Sequence, residues 1–134
     1  MTNSEKKRNY YAKLAKDLPR SLSYHHSAAR KSASKRGIEF SLEKQDIVNL
    51  WGKQKGLCAV SKIPLSLEHG SAANHNLLKL SVDRINNNEG YHLSNVHLVT
   101  WQVNCAKGTG SLEDLIKMAQ GIVLAQKLKD AKVQ

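Results

Sequence analysis

The stretch from residue 77 to residue 108 constrains the fold most, because the spacing of its apolar residues changes along its length. Apolar and polar residues alternate through 77–85, which predicts a strand with one apolar and one polar face. Residues 86–90 read Asn-Asn-Asn-Glu-Gly and predict a turn, and residues 95–100 predict the returning strand. A helix is expected to begin at residue 100 and to end at the glycine in position 108. This order predicts a ββα unit within an α+β domain.

Helices are predicted on both sides of this unit. The Ala-, Lys-, Arg- and Ser-rich segment 10–36 predicts one short helix before Pro19 and a basic helix after it. Ser41 is a plausible N-cap for a third helix. Residues 57–67 predict a short irregular hairpin. Ser-Leu-Glu-Asp at 111–114 resembles a capping box and begins an amphipathic last helix, which we expect to pack over the core.

Charge divides the chain into two parts. Its 134 residues suffice for one domain but not for two, so we look for a single active site. The formal net charge is +10, and the first 36 residues carry ten basic residues against Glu5 and Asp17, a net charge of +8. We therefore expect a basic helical arm at 1–37 and a domain at 38–134 with its core at 57–108. Clustered Lys and Arg favour a nucleic-acid partner, the alternative being a solvated helix face.

Other features bound the class of protein. No apolar run approaches the roughly 20 residues that cross a bilayer, and the polar N-terminus lacks the apolar stretch of a secretory signal. We expect a soluble cytoplasmic protein with no membrane partner. Cys58 and Cys105 cannot build a disulfide framework or, alone, a four-thiolate zinc site. Both are predicted to be small buried hydrophobic residues.

Two oxygen-bearing side chains fall at informative positions of the ββα unit. Asp83 stands near the end of the first predicted strand, and Asn104 stands on the predicted helix. Such a fold can bring two oxygen ligands to one hard cation and leave other positions for water and phosphate, as Mg²⁺ prefers. A metal held in this way can stabilise a phosphodiester transition state and its leaving oxygen.

The same stretch resembles a known family, the HNH (ββα-metal) endonucleases, and above all its small phage and mobile-element members. The resemblance rests on an ordered set of short motifs: Asp83-Arg84-Ile85, Gly90-Tyr91, Asn95-Val96, Asn104 and Lys107-Gly108. It also takes in 56–65 and 35–41, and it covers roughly residues 30 to 120.

The resemblance implies a DNA endonuclease that hydrolyses phosphodiester bonds, nicking or cutting both strands, with Mg²⁺ or Mn²⁺. Asp83 and Asn104 match the family's metal ligands, and Asn95 matches the middle Asn that holds the loop between the strands. It also implies a phage or mobile-element source within a bacterial host. The oligomeric state stays open, with a dimer among the possibilities.

Position 84 departs from the family, which usually has its general-base histidine there. Arg84 cannot accept a proton, although its guanidinium can grip the scissile phosphate. The base must then be another residue, and the candidates are His75, His97 and His92, with Tyr91 a weaker one. His97 shares the polar face of its predicted strand. For each histidine the alternative is an ordinary surface position.

A second departure concerns zinc. The first Cys-x-x-Cys knuckle of many relatives reads Cys58-Ala-Val-Ser61 here, and Thr100 and Val103 stand where the second would need cysteines. We therefore expect no structural zinc. Packing of other residues is expected to replace it, namely that of Trp51, Ile63, Leu65, Trp101 and the last helix.

Phosphate contacts complete the prediction. They are expected from Arg30, Lys31, Lys35, Arg36 and Lys107, which give affinity without reading bases. His25 and His26 lack ligand spacing and are expected at the surface. Two alternatives stay open: a catalytically degenerate HNH fold that binds DNA or RNA, and a basic RNA-binding or ribosome-associated protein.

Overall fold

Within residues 1–133 the chain folds into five helices and one small antiparallel sheet. The computed structural model describes residues 1–133, and a short 3₁₀ turn at Leu93–Asn95 precedes the second strand. The elements are α1 (Asn3–Ala15), α2 (Leu18–Lys35), α3 (Lys44–Lys53), β1 (Leu80–Arg84), β2 (Val96–Thr100), α4 (Trp101–Lys107) and α5 (Leu112–Val133). The predicted α+β class is confirmed at the level of mixed helices and a two-stranded sheet.

The sheet pairs β1 with β2 in antiparallel register, so that Leu80 faces Thr100 and Asp83 faces His97. β1 is three residues shorter at its start than predicted. The preceding residues pair instead with Ser66, whose backbone N–H donates to the Leu78 carbonyl and whose carbonyl accepts from Leu80. Thr100 caps α4 through a hydrogen bond from the Val103 backbone N–H, 3.2 Å long, so the helix follows the sheet at once.

α2 is part of the folded core. Asp17 caps it through the Arg20 backbone N–H, and Pro19 occupies the first turn, where a missing N–H costs little. Leu22 and Ala33 are buried in one cluster with residues of α3 and both strands. The apolar side of α2 therefore packs on the domain that we expect at residues 38–134.

Backbone pairing explains the late start of α3. The Phe40 backbone bridges to Tyr91, and the Ser41 backbone N–H donates to the Tyr91 carbonyl at 2.9 Å. These bonds hold residues 40 and 41 extended, and Glu43 rather than Ser41 becomes the N-cap.

We expected the last helix to pack over the core, and it does not. α5 packs against α4, but no residue from Leu112 to Val133 is buried.

The residues that we expect to brace the fold in place of zinc differ in their burial. Leu65 is buried, Trp51 packs against the core and Ile63 is exposed. Cys58 is buried as predicted, whereas Cys105 is exposed. Among residues 1–133, no helix combines the length and the apolar character that membrane crossing requires.

Candidate active site

A cavity of about 740 Å³ opens beside β1, between α2 and α4. Its walls combine residues that are far apart in sequence, including Tyr24, His25, Arg36, His69, Ser81, Asp83, Arg84, Tyr91 and Asn104. The cavity therefore contains both predicted metal ligands and a group of residues that the motif did not indicate.

Asp83 is held from two directions. Its Oδ2 lies 2.8 Å from Nε2 of His97, its register partner on β2. Nζ of Lys107, at the end of α4, lies 3.2 Å from each carboxylate oxygen. Asp83 is only 5% exposed, and a buried carboxylate requires such partners.

Lys107, for which we predict a phosphate contact, is engaged within the protein in this structure. Its side chain is buried, and its Nζ also donates to the Arg84 carbonyl at 2.7 Å and to Oδ1 of Asn87 at 3.3 Å. An ammonium has three donors, and these partners with Asp83 use all of them. Lys107 therefore ties α4 to β1 and to the following loop.

Asn104 shares a wall with Asp83. Its Nδ2 donates to Oγ of Ser81 at 2.7 Å, and Ser81 precedes Asp83 by two residues on the same face of β1. Because the amide nitrogen is engaged, the amide oxygen is the atom of Asn104 that remains for a cation.

Whether a divalent ion fits this site depends on the ligand atoms that the side chains offer. Among residues 1–133 no three His, Cys, Asp or Glu side chains come together as metal ligands. Two hard oxygen donors, from Asp83 and Asn104, fit a cation that keeps most of its water, as Mg²⁺ does. A carboxylate offers about four lone-pair sites, so Asp83 can accept from His97 and Lys107 and still bind an ion. The residues present therefore fit a hard cation.

Asn95 fixes the loop between the strands. Its Oδ1 accepts from the Asn86 backbone N–H at 2.9 Å, and its Nδ2 donates to the carbonyls of Asn86 and Gly90 at 3.0 and 2.9 Å. The side chain is buried, so these bonds replace its lost hydration.

Two arginines flank Tyr91 at the cavity. Arg84 lies 5.4 Å over the Tyr91 ring and donates to the carbonyls of Asn87 and Glu89. Arg36, from the end of α2, donates to the Tyr91 hydroxyl at 2.6 Å. Both guanidinium groups carry a permanent positive charge on the cavity wall.

The three histidines predicted as bases lie in different surroundings. His97 contacts Asp83, as described above. His92 lies 3.0 Å from Oγ of Ser94 and 3.4 Å from Glu89, outside the cavity lining. His75 is exposed and stacks on Trp101, with 5.1 Å between the ring centroids, and it borders a smaller neighbouring pocket.

His25 and His69, which were not predicted, lie on the cavity wall. Burial, together with the nearby His69 and Lys79, lowers the pKa of His25 to about 4, and burial also lowers the pKa of His69. The two rings stack at 5.6 Å, and within residues 1–133 neither Nε2 has a hydrogen-bond partner. Both imidazoles are therefore neutral at pH 7.

The expected surface position of His25 and His26 is wrong. Both are buried, and Nε2 of His26 lies 2.7 Å from the Leu42 carbonyl. Their three- and four-residue spacing from Leu22 gave the signal, because it places them on the apolar side of α2. By contrast, the remaining basic residues proposed for phosphate contact on α2 are exposed, namely Arg30, Lys31 and Lys35.

Comparison with known proteins gives one informative similarity. No family model and no curated protein matches the chain. Its fold is similar to that of a solved structure of the rare-cutting HNH restriction endonuclease PacI, with a TM-score of 0.59 and 19% sequence identity over 81% of each chain. The chain therefore has an HNH-like fold.

Proposed function

We propose that this chain is a metal-dependent DNA endonuclease that hydrolyses phosphodiester bonds. The observation that carries the proposal is that Asp83 and Asn104 line one cavity of an HNH-like fold. Arg84 and Arg36 line the same cavity and supply positive charge for a phosphate.

Charge and shape support DNA as the substrate. The net charge of +10 favours a polyanion, and exposed basic residues follow α2 up to Arg36 at the cavity. Contacts from Arg30, Lys31 and Lys35 to the backbone would place a phosphate over the cavity without reading the base sequence.

Each polar residue of the site has a separate task in this proposal. Asp83 and Asn104 hold Mg²⁺ or Mn²⁺, which when bound stabilises the negative charge that develops on the phosphate and on its leaving oxygen. His97 and Lys107 orient the Asp83 carboxylate. Arg84 grips the phosphate, and Asn95 keeps the loop before β2 in place.

The candidates for the general base are histidines in or beside the cavity. His97 has its Nε2 engaged by Asp83, so we propose that it acts as a positioning residue. His25 and His69 are neutral imidazoles on the cavity wall and join the candidates. His75 and His92 lie outside that wall and rank below them.

Nicking of supercoiled plasmid in Mg²⁺ or Mn²⁺ tests the proposal. We expect the unaltered protein to nick, and we expect both Asp83→Ala and addition of EDTA to abolish nicking. Asp130→Ala, which removes an exposed carboxylate on α5, is the matched control and should nick at the normal rate. Equal nicking by Asp83→Ala would refute the proposed site.

A second function is favoured by one observation, the engagement of the Asp83 carboxylate by both Lys107 and His97. If these partners prevent an ion from binding, the chain is a DNA- or RNA-binding protein with a degenerate HNH fold. In that case both the unaltered protein and Asp83→Ala would retard DNA in a gel, and neither would nick it with either metal.

A further inference from the structure

α5 exposes an unusual amount of apolar surface. The helix has 22 residues and is therefore about 33 Å long at 1.5 Å per residue, yet none of its residues is buried. Six of its large apolar side chains are 44 to 61% exposed, namely Ile116, Met118, Ile122, Val123, Leu124 and Leu128. Exposed apolar surface of this kind marks an interface, and two of the six residues, Met118 and Leu128, share one side of the helix.

One face of α5 points away from its own domain. Leu112 and Leu115, which are half-buried, lie on the side that packs against α4. At 100° per residue, the row that follows the opposite side consists of Asp114, Met118, Gly121, Ala125, Leu128 and Lys132. This row, called the outer row below, has an acidic residue at its start, a basic residue at its end and apolar residues between.

The outer row is complementary to itself in antiparallel orientation. We consider a twofold axis that crosses the outer row at the height of residue 123. Asp114 then faces Lys132 of a second copy, Met118 faces Leu128, and Gly121 faces Ala125. Every pair then occurs twice, as the symmetry of an isologous dimer requires. A parallel copy would instead place like charges together at both ends.

The middle of the row allows close approach. Gly121 has no atom within 4 Å of the position where a Cβ would stand, and it lies opposite the small Ala125 in this register. The backbones can therefore approach while Met118 and Leu128 fill the space on either side. Antiparallel helix dipoles add a small favourable term.

Local hydrogen bonds favour the charged form of Asp114 at the start of the row. A hydrogen bond from the Ser111 backbone N–H lowers the pKa of Asp114, with a further contribution from the Ser111 side chain. Asp114 therefore remains an anion opposite Lys132 of the second copy throughout the neutral range.

We propose that the chain forms an antiparallel homodimer through the outer row of α5. The proposal rests on α5 alone and does not depend on whether the chain cuts DNA.

Sedimentation equilibrium of the full chain at micromolar concentrations tests the proposal. We expect a dimer whose dissociation constant rises at least tenfold with Leu128→Glu, because that change places a carboxylate in the apolar middle of the interface. Val123→Glu, an equally exposed position on another side of α5, should leave the dissociation constant within about twofold. Far-UV circular dichroism of each variant reports whether α5 is still helical.

A charge exchange tests the orientation. Asp114→Lys and Lys132→Asp should each weaken the dimer, whereas the double variant should restore it, because only the antiparallel register pairs these positions. A monomeric unaltered protein, or equal effects of Leu128→Glu and Val123→Glu, would overturn the proposal. A double variant as weak as the single ones would overturn the register.

Discussion

Nε2 of His97 lies 2.8 Å from Oδ2 of Asp83 because the two residues are register partners on adjacent strands. The pairing sets the direction of the carboxylate before any ligand arrives. Lys107 approaches the same carboxylate from α4, so three consecutive elements converge on one side chain.

The contact predicts a positioning role for His97. We expect His97→Gln to slow plasmid nicking at least tenfold while leaving the shape of the pH–rate profile unchanged, because the residue orients Asp83 and does not take the proton. His92→Gln should nick normally. A profile that loses its acidic limb in His97→Gln would instead identify His97 as the base.

Loss of Lys107 should destabilise the fold. Lys107→Met leaves a buried carboxylate without its cationic partner, and we expect the free energy of unfolding in urea to fall by about 3 to 5 kcal/mol. Asp83→Asn combined with Lys107→Met should recover part of that loss, since the uncompensated charge is gone. Lys127→Met on exposed α5 is the control, and a similar loss there would contradict this account.

Replacing Asn95 should lower the stability of the fold more than replacing Asn88, an exposed residue of the same loop. Asn95→Ala removes three hydrogen bonds and leaves partly buried backbone groups of Asn86 and Gly90 without this partner, so we expect a loss of about 3 kcal/mol in the free energy of unfolding. Asn88→Ala should change it by less than about 0.5 kcal/mol. Equal effects would show that the loop does not depend on Asn95.

Burial of His25 should make the fold sensitive to acid. Its pKa is about 4 in the fold and about 6.5 when unfolded, so below pH 6.5 the unfolded chain takes up the proton first. The free energy of unfolding should therefore fall as pH decreases from 6.5 to 4, by on the order of 3 kcal/mol for this residue. His25→Gln should flatten the slope between pH 5 and pH 7, whereas His92→Gln should not.

The exposed lysines on α2 should govern affinity for DNA. Lys31→Ser with Lys35→Ser should weaken binding and reduce the slope of log affinity against log salt by about 0.9 for each lost contact. Lys44→Ser with Lys53→Ser, on α3, is the matched pair of changes. An unaltered salt slope in the α2 variant would show that this face does not contact the backbone.

Local patterns were sufficient to predict the sheet and α4. Alternation before the turn, the Asn-rich turn itself and a Thr at the start of α4 each act over a few residues, so the sequence displays them directly. The same patterns placed Asp83 on the polar face of β1, where it meets His97.

Long-range packing decided what the sequence could not reveal. The sequence predicted a phosphate contact for Lys107, because nothing nearby in sequence shows that its Nζ meets Asp83, 24 positions earlier. His25 reaches the cavity only because α2 packs beside β1. α5 has the composition of a packed helix, yet only Leu112 and Leu115 in its first turn are half-buried, where it packs against α4.

Because α2 packs into the core, a fragment of this chain must include α2 to keep the cavity. The strand–turn–strand–helix segment supplies Asp83 and Asn104, but α2 supplies the opposite wall with His25 and Arg36. A shortened chain beginning at residue 38 would also leave Ile47 and Leu80 without Leu22 and Ala33 beside them. Such a fragment would keep the recognisable motif but lack the α2 wall of the cavity.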